Sequence, residues 1–312
     1  MDFAFVTAQM ITVSLPILVG WAARKLGFMD NAFDTQLSRL ILNIGLPCMI
    51  LASLATSQGL PSPADMLWAI VGETILLVIA AALGYGVTAL MRVPNGAEGV
   101  YRFAITFSNC GLIGFPIISA VLGSDALLIA AIGLIPVNLI MFTVGVLMFS
   151  GGEGEGLGKQ LRRAAQCLKS PTLLASIAVL LCSLMRFTDF GLVGTSLDLI
   201  GQMTTPLALL VTGSALASYK PLDMLTNMRA YIACICRLVV APLVGLVALR
   251  LLPIDANVIA ILVLEAAMPV GTNGILYCLQ YGVDTKPMVQ CTFLTIVCAI
   301  LSIPVVTTLA LG

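Results

Sequence analysis

Histidine is absent from this chain of 312 residues, and charged residues make up only 10% of it. Without histidine, the chain lacks the usual base of serine and cysteine hydrolases, the imidazole ligands of zinc sites and a histidine proton relay. HExxH motifs, paired aspartates and nucleotide-binding motifs are also missing. We therefore expect no enzyme, no metal site and no cofactor, and no transport driven by nucleotide hydrolysis.

The charge balance excludes another class of partner. The chain has 15 basic and 15 acidic residues and no basic patch interleaved with aromatic residues, which argues against nucleic acid as a partner. Its 9 cysteines lack paired metal-ligand spacing, and we interpret them as small core hydrophobes.

Apolar residues dominate what is present, at 60% of the chain, which is typical of an integral membrane protein. The N-terminal run carries an acid before it and bases after it, the reverse of a secretory signal, so we expect it to remain as a span. Apolar runs between turn residues predict ten spans near residues 3–23, 37–56, 66–91, 100–122, 126–149, 171–187, 196–217, 229–252, 256–281 and 287–311.

The segment 151–169 begins with a Gly/Glu run and continues as a predicted short basic helix. It divides the chain into 1–150 and 170–312, with five predicted spans in each. Basic residues concentrate on the side of this linker, which predicts that it is cytoplasmic and that both termini lie outside. Because each half has an odd number of spans, the halves are expected to be inverted relative to each other.

Turn residues repeat at a constant offset of 159 positions, which supports a duplication. The matched pairs are Pro47 and Pro206, Gly86 and Gly245, Pro94 and Pro253, Gly123 and Gly282, and Asp125 and Asp284. Inverted repeats of this kind are characteristic of secondary transporters, whose binding sites lie at the repeat interface.

Two corresponding spans contain helix breakers at corresponding depth. Span 4 is predicted to break at Asn109-Cys110-Gly111, and span 9 at Met268-Pro269-Val270. An unwound turn inside a bilayer is tolerated where it is packed in protein or lines a wet cavity. If the two spans cross, the N-terminal ends of their half-helices offer N–H groups and positive partial charge to an anion.

Amide and hydroxyl side chains near the breaks can add neutral hydrogen bonds to a carboxylate. The predicted substrate-binding residues are Asn109, Gly111, Pro116, Pro269, Thr272 and Asn273, with Asn43 from span 2. The alternative is that these Gly and Pro residues only permit packing or kinks. Two breaks at matched positions favour the functional interpretation.

Three ionisable residues are predicted inside the membrane: Glu73, Arg237 and Glu265. Such residues are costly in lipid and are usually functional. Arg237 would pair either with the substrate carboxylate or with Glu265 as a lock between spans 8 and 9, and either glutamate would carry a coupled proton. Glu73 lies about two turns from the outer end of its span, so solvent exposure is the alternative for it.

Polar residues also precede the prolines of spans 2 and 7. For Thr204 and Thr205 we favour a role in satisfying carbonyls freed by the kink at Pro206. Asn138 in span 5 is interpreted as an interhelical hydrogen bond rather than a ligand.

Four segments resemble the auxin efflux carrier family, including its short bacterial members described as malonate or other organic-acid permeases. They are LILNIGLPCMILASLA (40–55), FSNCGLIGFPIISAVLG (107–123), TTPLALLVTGSALA (204–217) and EAAMPVGTNGILYCLQYGVD (265–284). The resemblance covers essentially the whole chain.

This resemblance implies an all-α polytopic membrane protein of two inverted five-helix repeats, with broken, crossing helices 4 and 9. Spans 1, 2, 6 and 7 would form a scaffold, and spans 3–5 and 8–10 a unit that moves like an elevator, as in the similar bile-acid sodium symporters. It also implies a homodimer in a bacterial inner membrane, and asparagine contacts to a substrate carboxylate at Asn109 and Asn273. Plant members follow the acid that Glu73 matches with a base one turn later, where this chain has Leu77.

The leading hypothesis is thus a secondary active transporter of a small organic anion, coupled to H⁺ or driven by substrate gradients. The alternative within transport is a sodium-coupled organic-anion symporter. The rival from another class is an intramembrane enzyme, which would need a catalytic pair or metal cluster in the spans, and a channel or sensor is a third class.

Overall fold

The computed structural model describes residues 3–57, 59–93, 96–149, 170–188, 190–218, 220–271 and 273–311. Within these ranges the α-helices are α1 (Phe3–Lys25), α2 (Asn31–Leu40), α3 (Leu46–Thr56), α4 (Pro63–Leu90), α5 (Glu98–Thr106), α6 (Phe115–Leu122), α7 (Ala126–Ile140), α8 (Pro171–Leu184), α9 (Gly191–Gln202), α10 (Thr204–Ala217), α11 (Pro221–Met224), α12 (Met228–Ile235), α13 (Ala241–Arg250), α14 (Ala256–Ala266), α15 (Asn273–Tyr281) and α16 (Lys286–Leu311). The predicted linker 151–169 lies outside the described residues.

Long apolar helices dominate the described part of the chain. Six helical stretches there are long and apolar enough to cross a membrane: Asn31–Thr56, Pro63–Leu90, Ala126–Gly145, Gly191–Ala217, Met228–Arg250 and Lys286–Leu311. Shorter apolar helices occupy Cys110–Leu122, Pro171–Leu184 and Ala256–Ala266. The prediction of an all-α integral membrane protein is confirmed, while the count of ten spans stays a prediction.

Several helices begin earlier than the apolar pattern predicts. α2 begins at Asn31, because the Asp30 carboxylate caps it by accepting a hydrogen bond from the Phe33 N–H at 2.7 Å. α9 begins at Gly191 rather than near 196. Hydropathy alone misses such starts because capping residues are polar.

Three π-helical turns precede prolines. They span Ile41–Gly45, Cys110–Gly114 and Cys236–Val240, and the helix after each has Pro47, Pro116 or Pro242 as its second residue. Proline has no N–H and its ring crowds the carbonyl four residues earlier, so a wider turn relieves the clash. A further π turn, Met141–Gly145, follows α7.

The kink at Pro47 frees the carbonyl of Leu42, which accepts a hydrogen bond from the Thr172 hydroxyl of α8 at 2.9 Å. The corresponding expectation for Thr204 at Pro206 is wrong. Its buried hydroxyl has no hydrogen-bond partner in the described part of the chain and instead lies against Gly45. Near Pro206 the helix is interrupted at Met203, between α9 and α10. Pro47 instead follows a π turn, so these two prolines, which match at the offset of 159, distort their spans differently.

The helices pack in two groups. In one, α1 packs along α10, and α3 packs against α8 and α9. In the other, α4 packs against α5, α7, α13 and α14, while α16 packs against α5, α12 and α14. The groups meet where α1 contacts α16 and where α7 contacts α8.

Glycines permit the closest approach in the first group. A Cβ added to Gly20 of α1 would collide with the Leu210 carbonyl of α10, and one added to Gly213 would collide with the Ile17 carbonyl of α1. Small residues at such a crossing let two backbones touch, which is a common way to join helices in membranes.

Candidate functional site

Two helical segments are interrupted, and their breaks pair with each other. α5 ends at Thr106 and α14 ends at Ala266, and the extended residues beyond them form an antiparallel β-bridge between Ser108 and Val270. The Asn109 N–H donates to the Pro269 carbonyl at 2.8 Å, and the Gly271 N–H donates to the Phe107 carbonyl at 3.0 Å. The bridge thus satisfies backbone groups that unwinding would leave bare at membrane depth.

A third hydrogen bond completes this junction. The Val270 N–H donates to the Thr295 hydroxyl of α16 at 3.1 Å, and Thr295 is fully buried. The Thr295 hydroxyl in turn donates within its own helix, to the carbonyl of Cys291 at 2.8 Å.

A cavity of about 240 Å³ opens beside the junction. Its lining residues are Leu42, Asn43, Leu46, Ser108, Asn109, Cys110, Gly111, Leu112, Leu134, Val137, Asn138, Met141, Phe142, Ser170, Thr172, Gly271 and Asn273. The polar side chains among them are amides, hydroxyls and one thiol, and none carries a formal charge. Such a lining offers hydrogen bonds without a fixed charge.

The structure brings four of the predicted substrate-binding residues to this one cavity: Asn43, Asn109, Gly111 and Asn273. Pro116 and Pro269 are not among its lining residues. Pro116 is the second residue of α6, after the π turn, and the Pro269 carbonyl accepts the hydrogen bond from the Asn109 N–H. Thr272 lies outside the described residues.

Asn109 caps the helix that begins after it. Its Oδ1 accepts a hydrogen bond from the Leu112 N–H at 3.2 Å, and the residue is 8% exposed. With Oδ1 used as the cap, the NH₂ group is what Asn109 offers to the cavity as a donor.

The other amides are arranged differently. Asn273 is the first residue of α15, and its NH₂ donates weakly to the Met141 sulfur at 3.4 Å. The NH₂ of Asn43 already donates to the Arg39 carbonyl of its own helix at 2.7 Å, so one of its two protons is committed. Asn109 is therefore the best-placed donor of the three.

Four lining residues with a hydroxyl or amide side chain were not among the predicted substrate-binding residues: Ser108, Asn138, Ser170 and Thr172. Asn138, expected only to bridge helices, contributes to the cavity wall. A polar residue in the middle of an apolar span was the available sign for it.

Arg237 lies behind this junction and is 2% exposed. It donates from Nη1 to the carbonyls of Ile105 and Thr106, both at 3.0 Å, and from Nη2 to that of Ala266 at 2.6 Å. Its Nε donates to the carbonyl of Met268 at 3.2 Å. Three of these carbonyls lie at the C-terminal ends of α5 and α14, and that of Met268 lies in the turn after α14. The last carbonyls of a helix have no partner within it and carry negative partial charge.

The ion pair considered between Arg237 and Glu265 is not formed in the structure. Both carboxyl oxygens of Glu265 lack a hydrogen-bond partner in the described residues, and the side chain is fully buried. Its carboxyl group lies instead against Gly133 of α7, where an added Cβ would approach Oε2 to 3.0 Å.

Glu73 is also buried, at 2% exposed, so the solvent-exposed interpretation of this residue is wrong for this structure. It lines a void of about 10 Å³ together with Arg237, Leu77 and Ser108. That volume is near the lower limit for one water molecule. The cation near Glu73 thus comes from Arg237 and not from the residue one turn later in its own helix, which is Leu77.

Ser108 lines both the 240 Å³ cavity and this small void. It therefore separates the amide-lined cavity from the buried charges. One residue of the β-bridge thus lines both an uncharged cavity and the void that contains Glu73 and Arg237.

Comparison with known proteins agrees with the membrane character of the chain. A family model described as "Membrane transport protein" matches residues 5–166 and 163–307. A protein from Methanothermobacter thermautotrophicus described as an uncharacterized transporter is 22% identical over 306 residues, which cover 97% of this chain and 98% of that protein.

Proposed function

Because this chain belongs to the family of membrane transport proteins, we propose that it is a secondary active transporter of a small organic anion, held in the cavity beside the two broken helices. The observation that carries the proposal is the pairing of the two breaks next to a cavity lined by Asn109 and Asn273. Broken helices that meet within the membrane are the usual place for a transported solute.

The chemistry of the lining supports a carboxylate rather than a cation. The amide NH₂ of Asn109 is a donor. Two helical segments begin at the cavity, after Asn109 and at Asn273, and the N–H groups at the N-terminus of a helix favour an anion. The described lining residues include no acidic side chain that would repel an anion. Neutral donors also allow release, since they bind an anion less tightly than a buried arginine would.

The volume supports a small substrate. Pockets for drug-sized ligands are about 300–1,000 Å³, whereas this cavity is about 240 Å³. We propose a short mono- or dicarboxylate.

For the architecture we propose ten spans in two inverted five-span repeats, with the broken helices crossing. The two packing groups support an elevator-like mechanism in which α1, α3 and α8 to α10 stay fixed while the group around α4, α7 and α14 moves. The asymmetry of basic residues supports a cytoplasmic linker and outward termini, and homodimer formation remains part of the proposal.

The test is a thermal-shift screen of purified protein against small carboxylates, followed by counterflow of the best ligand in proteoliposomes. We expect a carboxylate to raise the melting temperature while its amide analogue does not, and unlabelled ligand inside to accelerate labelled uptake. If no carboxylate stabilises the protein, the anion assignment is wrong. If flux is not saturable and shows no counterflow, a channel is the better description.

A further inference from the structure

The geometry points to Arg237 as a tethered cation that fills a cation site at the junction of the two broken helices, so that the protein needs no sodium ion there. The inference rests on the proposed transport function for its meaning. Its physical content, that a positive charge is required among these carbonyls, can be tested without any substrate.

The carbonyl ends of two helices form this site. The guanidinium is held by four carbonyl oxygens at 2.6 to 3.2 Å, two from the end of α5 and two from the end of α14 and the turn after it. Helix C-termini carry negative partial charge, and four such oxygens around one centre favour a cation. In secondary transporters, unwound carbonyls and half-helix C-termini coordinate coupling ions such as Na⁺.

Arg237 reaches the site from a third element. It lies in the π turn Cys236–Val240 between α12 and α13, where a widened turn accommodates Pro242. Because the guanidinium has five donors in a planar fork, one side chain can join carbonyls from both helices. An inorganic ion would have to be bound and released, whereas this cation is covalently attached.

Among the residues that the structure describes, no acidic side chain is hydrogen-bonded to the guanidinium. Both carboxyl oxygens of Glu265 lack a hydrogen-bond partner there, and Glu73 interacts with the guanidinium electrostatically across the small void that both line. The positive charge is therefore met mainly by backbone carbonyls, as a bound metal cation would be. With this position filled by the chain itself, coupling falls to another ion or to the substrate gradient.

The experiment measures melting temperature without substrate, in Na⁺, K⁺ and N-methylglucamine at equal ionic strength. For the wild type we expect the same value in all three. Arg237→Ala should melt lower, and millimolar guanidinium should raise its melting temperature by at least about 4 °C. Sodium should raise it as well, because the vacated carbonyls become available to a small cation.

Arg250→Ala is the matched control. Arg250 also donates to a backbone carbonyl, that of Leu309 at 2.9 Å, but it is exposed at the end of α13. Neither guanidinium nor sodium should stabilise this variant. Arg237→Lys keeps one charge but cannot span four carbonyls, so it should melt between the wild type and Arg237→Ala and remain indifferent to sodium.

Selective stabilisation of the wild type by sodium would overturn the inference, as would a folded Arg237→Ala that ignores both guanidinium and sodium. If Arg237→Ala cannot be purified, the wild type and Arg237→Lys decide: sodium dependence in either contradicts the tethered-cation role, and independence in both supports it. Failure of the carboxylate screen would reject the proposed substrate without altering these results.

Discussion

The backbone N–H of Asn109 is hydrogen-bonded to the carbonyl oxygen of Pro269 at 2.8 Å. The residue that offers its amide to the cavity is therefore positioned by the break in the other helix. Since Arg237 holds the carbonyl ends of the same two helices, the cavity and the helix junction form one structural unit. A substitution at the junction should therefore change the affinity for a ligand bound in the cavity.

Asn109→Asp should weaken carboxylate binding while preserving the fold. The aspartate keeps the oxygen that caps the Leu112 N–H at 3.2 Å but replaces the NH₂ donor by a second oxygen. A loss of one hydrogen bond and a new repulsion should weaken binding at least about tenfold, or roughly 1.4 kcal/mol. Ligand titration by calorimetry on the purified protein measures this.

Asn257→Asp, near the start of α14 and outside the cavity, serves as the control and should bind the carboxylate like the wild type. Asn109→Ala removes both the capping oxygen and the NH₂ donor. Its comparison with Asn109→Asp, which keeps the cap, separates the effect of capping from the effect of recognition. The alanine variant should lose affinity and also about 1 kcal/mol of stability. Undiminished affinity in Asn109→Asp would show that this amide does not contact the ligand.

Thr295→Val should destabilise the protein by about 1–3 kcal/mol, because it leaves the Val270 N–H buried without an acceptor. The same substitution at Thr307, on the same helix, is the matched control. The Thr307 hydroxyl is buried and has no hydrogen-bond partner in the described residues, so its removal should be neutral or stabilising. Chemical or thermal unfolding of both variants provides the comparison, and equal effects would show that the hydrogen bond at the break contributes nothing.

The positions of the two breaks could be predicted because their causes are local. Asn109, Gly111 and Pro269 disfavour a continuous helix whatever surrounds them, and the structure interrupts the helices beside these residues. The six described long helices were likewise predictable from apolar runs between turn residues. The pairing of the breaks by a β-bridge depends on the approach of distant segments, and no local pattern encodes it.

The partners of Arg237 show where sequence reasoning ends. The sequence is equally compatible with two partners for an arginine in an apolar run: a glutamate of the next span or a set of backbone carbonyls. Only the arrangement of α5, α14 and the π turn determines that Arg237 binds the carbonyls. The burial of Glu73 was missed for the same reason. Its distance along α4 from the helix end is local, whereas its exposure is set by the helices packed around it.

Gly213→Ala should separate α1 from α10. A Cβ at this position would collide with the Ile17 carbonyl, so the backbones must move apart and lose packing. We expect a loss of about 1–3 kcal/mol, which is the usual cost of overpacking. Gly86→Ala in α4 is the control, because nothing lies within 4 Å of the added Cβ. That variant should melt at or slightly above the wild-type temperature, and a comparable loss there would rule out the collision as the cause.

Glu265→Gln should make uptake insensitive to a proton gradient. The buried Glu265 carboxyl has no hydrogen-bond partner in the described residues, so a neutral isostere should fold like the wild type. In such surroundings the neutral acid is the form that can be buried, and movement of its helix toward water would allow the proton to leave. We expect an inward proton gradient to accelerate wild-type uptake into proteoliposomes and to have no effect on the variant.

The other groups around this carboxyl decide how the proton prediction is checked. Among the described residues, Glu73 of α4 and Cys110 beside the β-bridge are the ionisable side chains that interact with it, and Arg237 of the π turn interacts with both of these. Arg102 of α5 is turned to Thr88 and the Tyr85 ring. Glu73→Gln therefore belongs in the same assay, because the two carboxyls face one another's charge. If Glu73 is the carrier instead, Glu73→Gln should lose the gradient response and Glu265→Gln should keep it. Glu98→Gln, at the start of α5, is the control that should keep the gradient response. Uptake that still follows the proton gradient when both Glu73 and Glu265 are replaced by glutamine would remove these residues from any role in coupling, and the driving force would then have to come from the substrate gradient or from another ion.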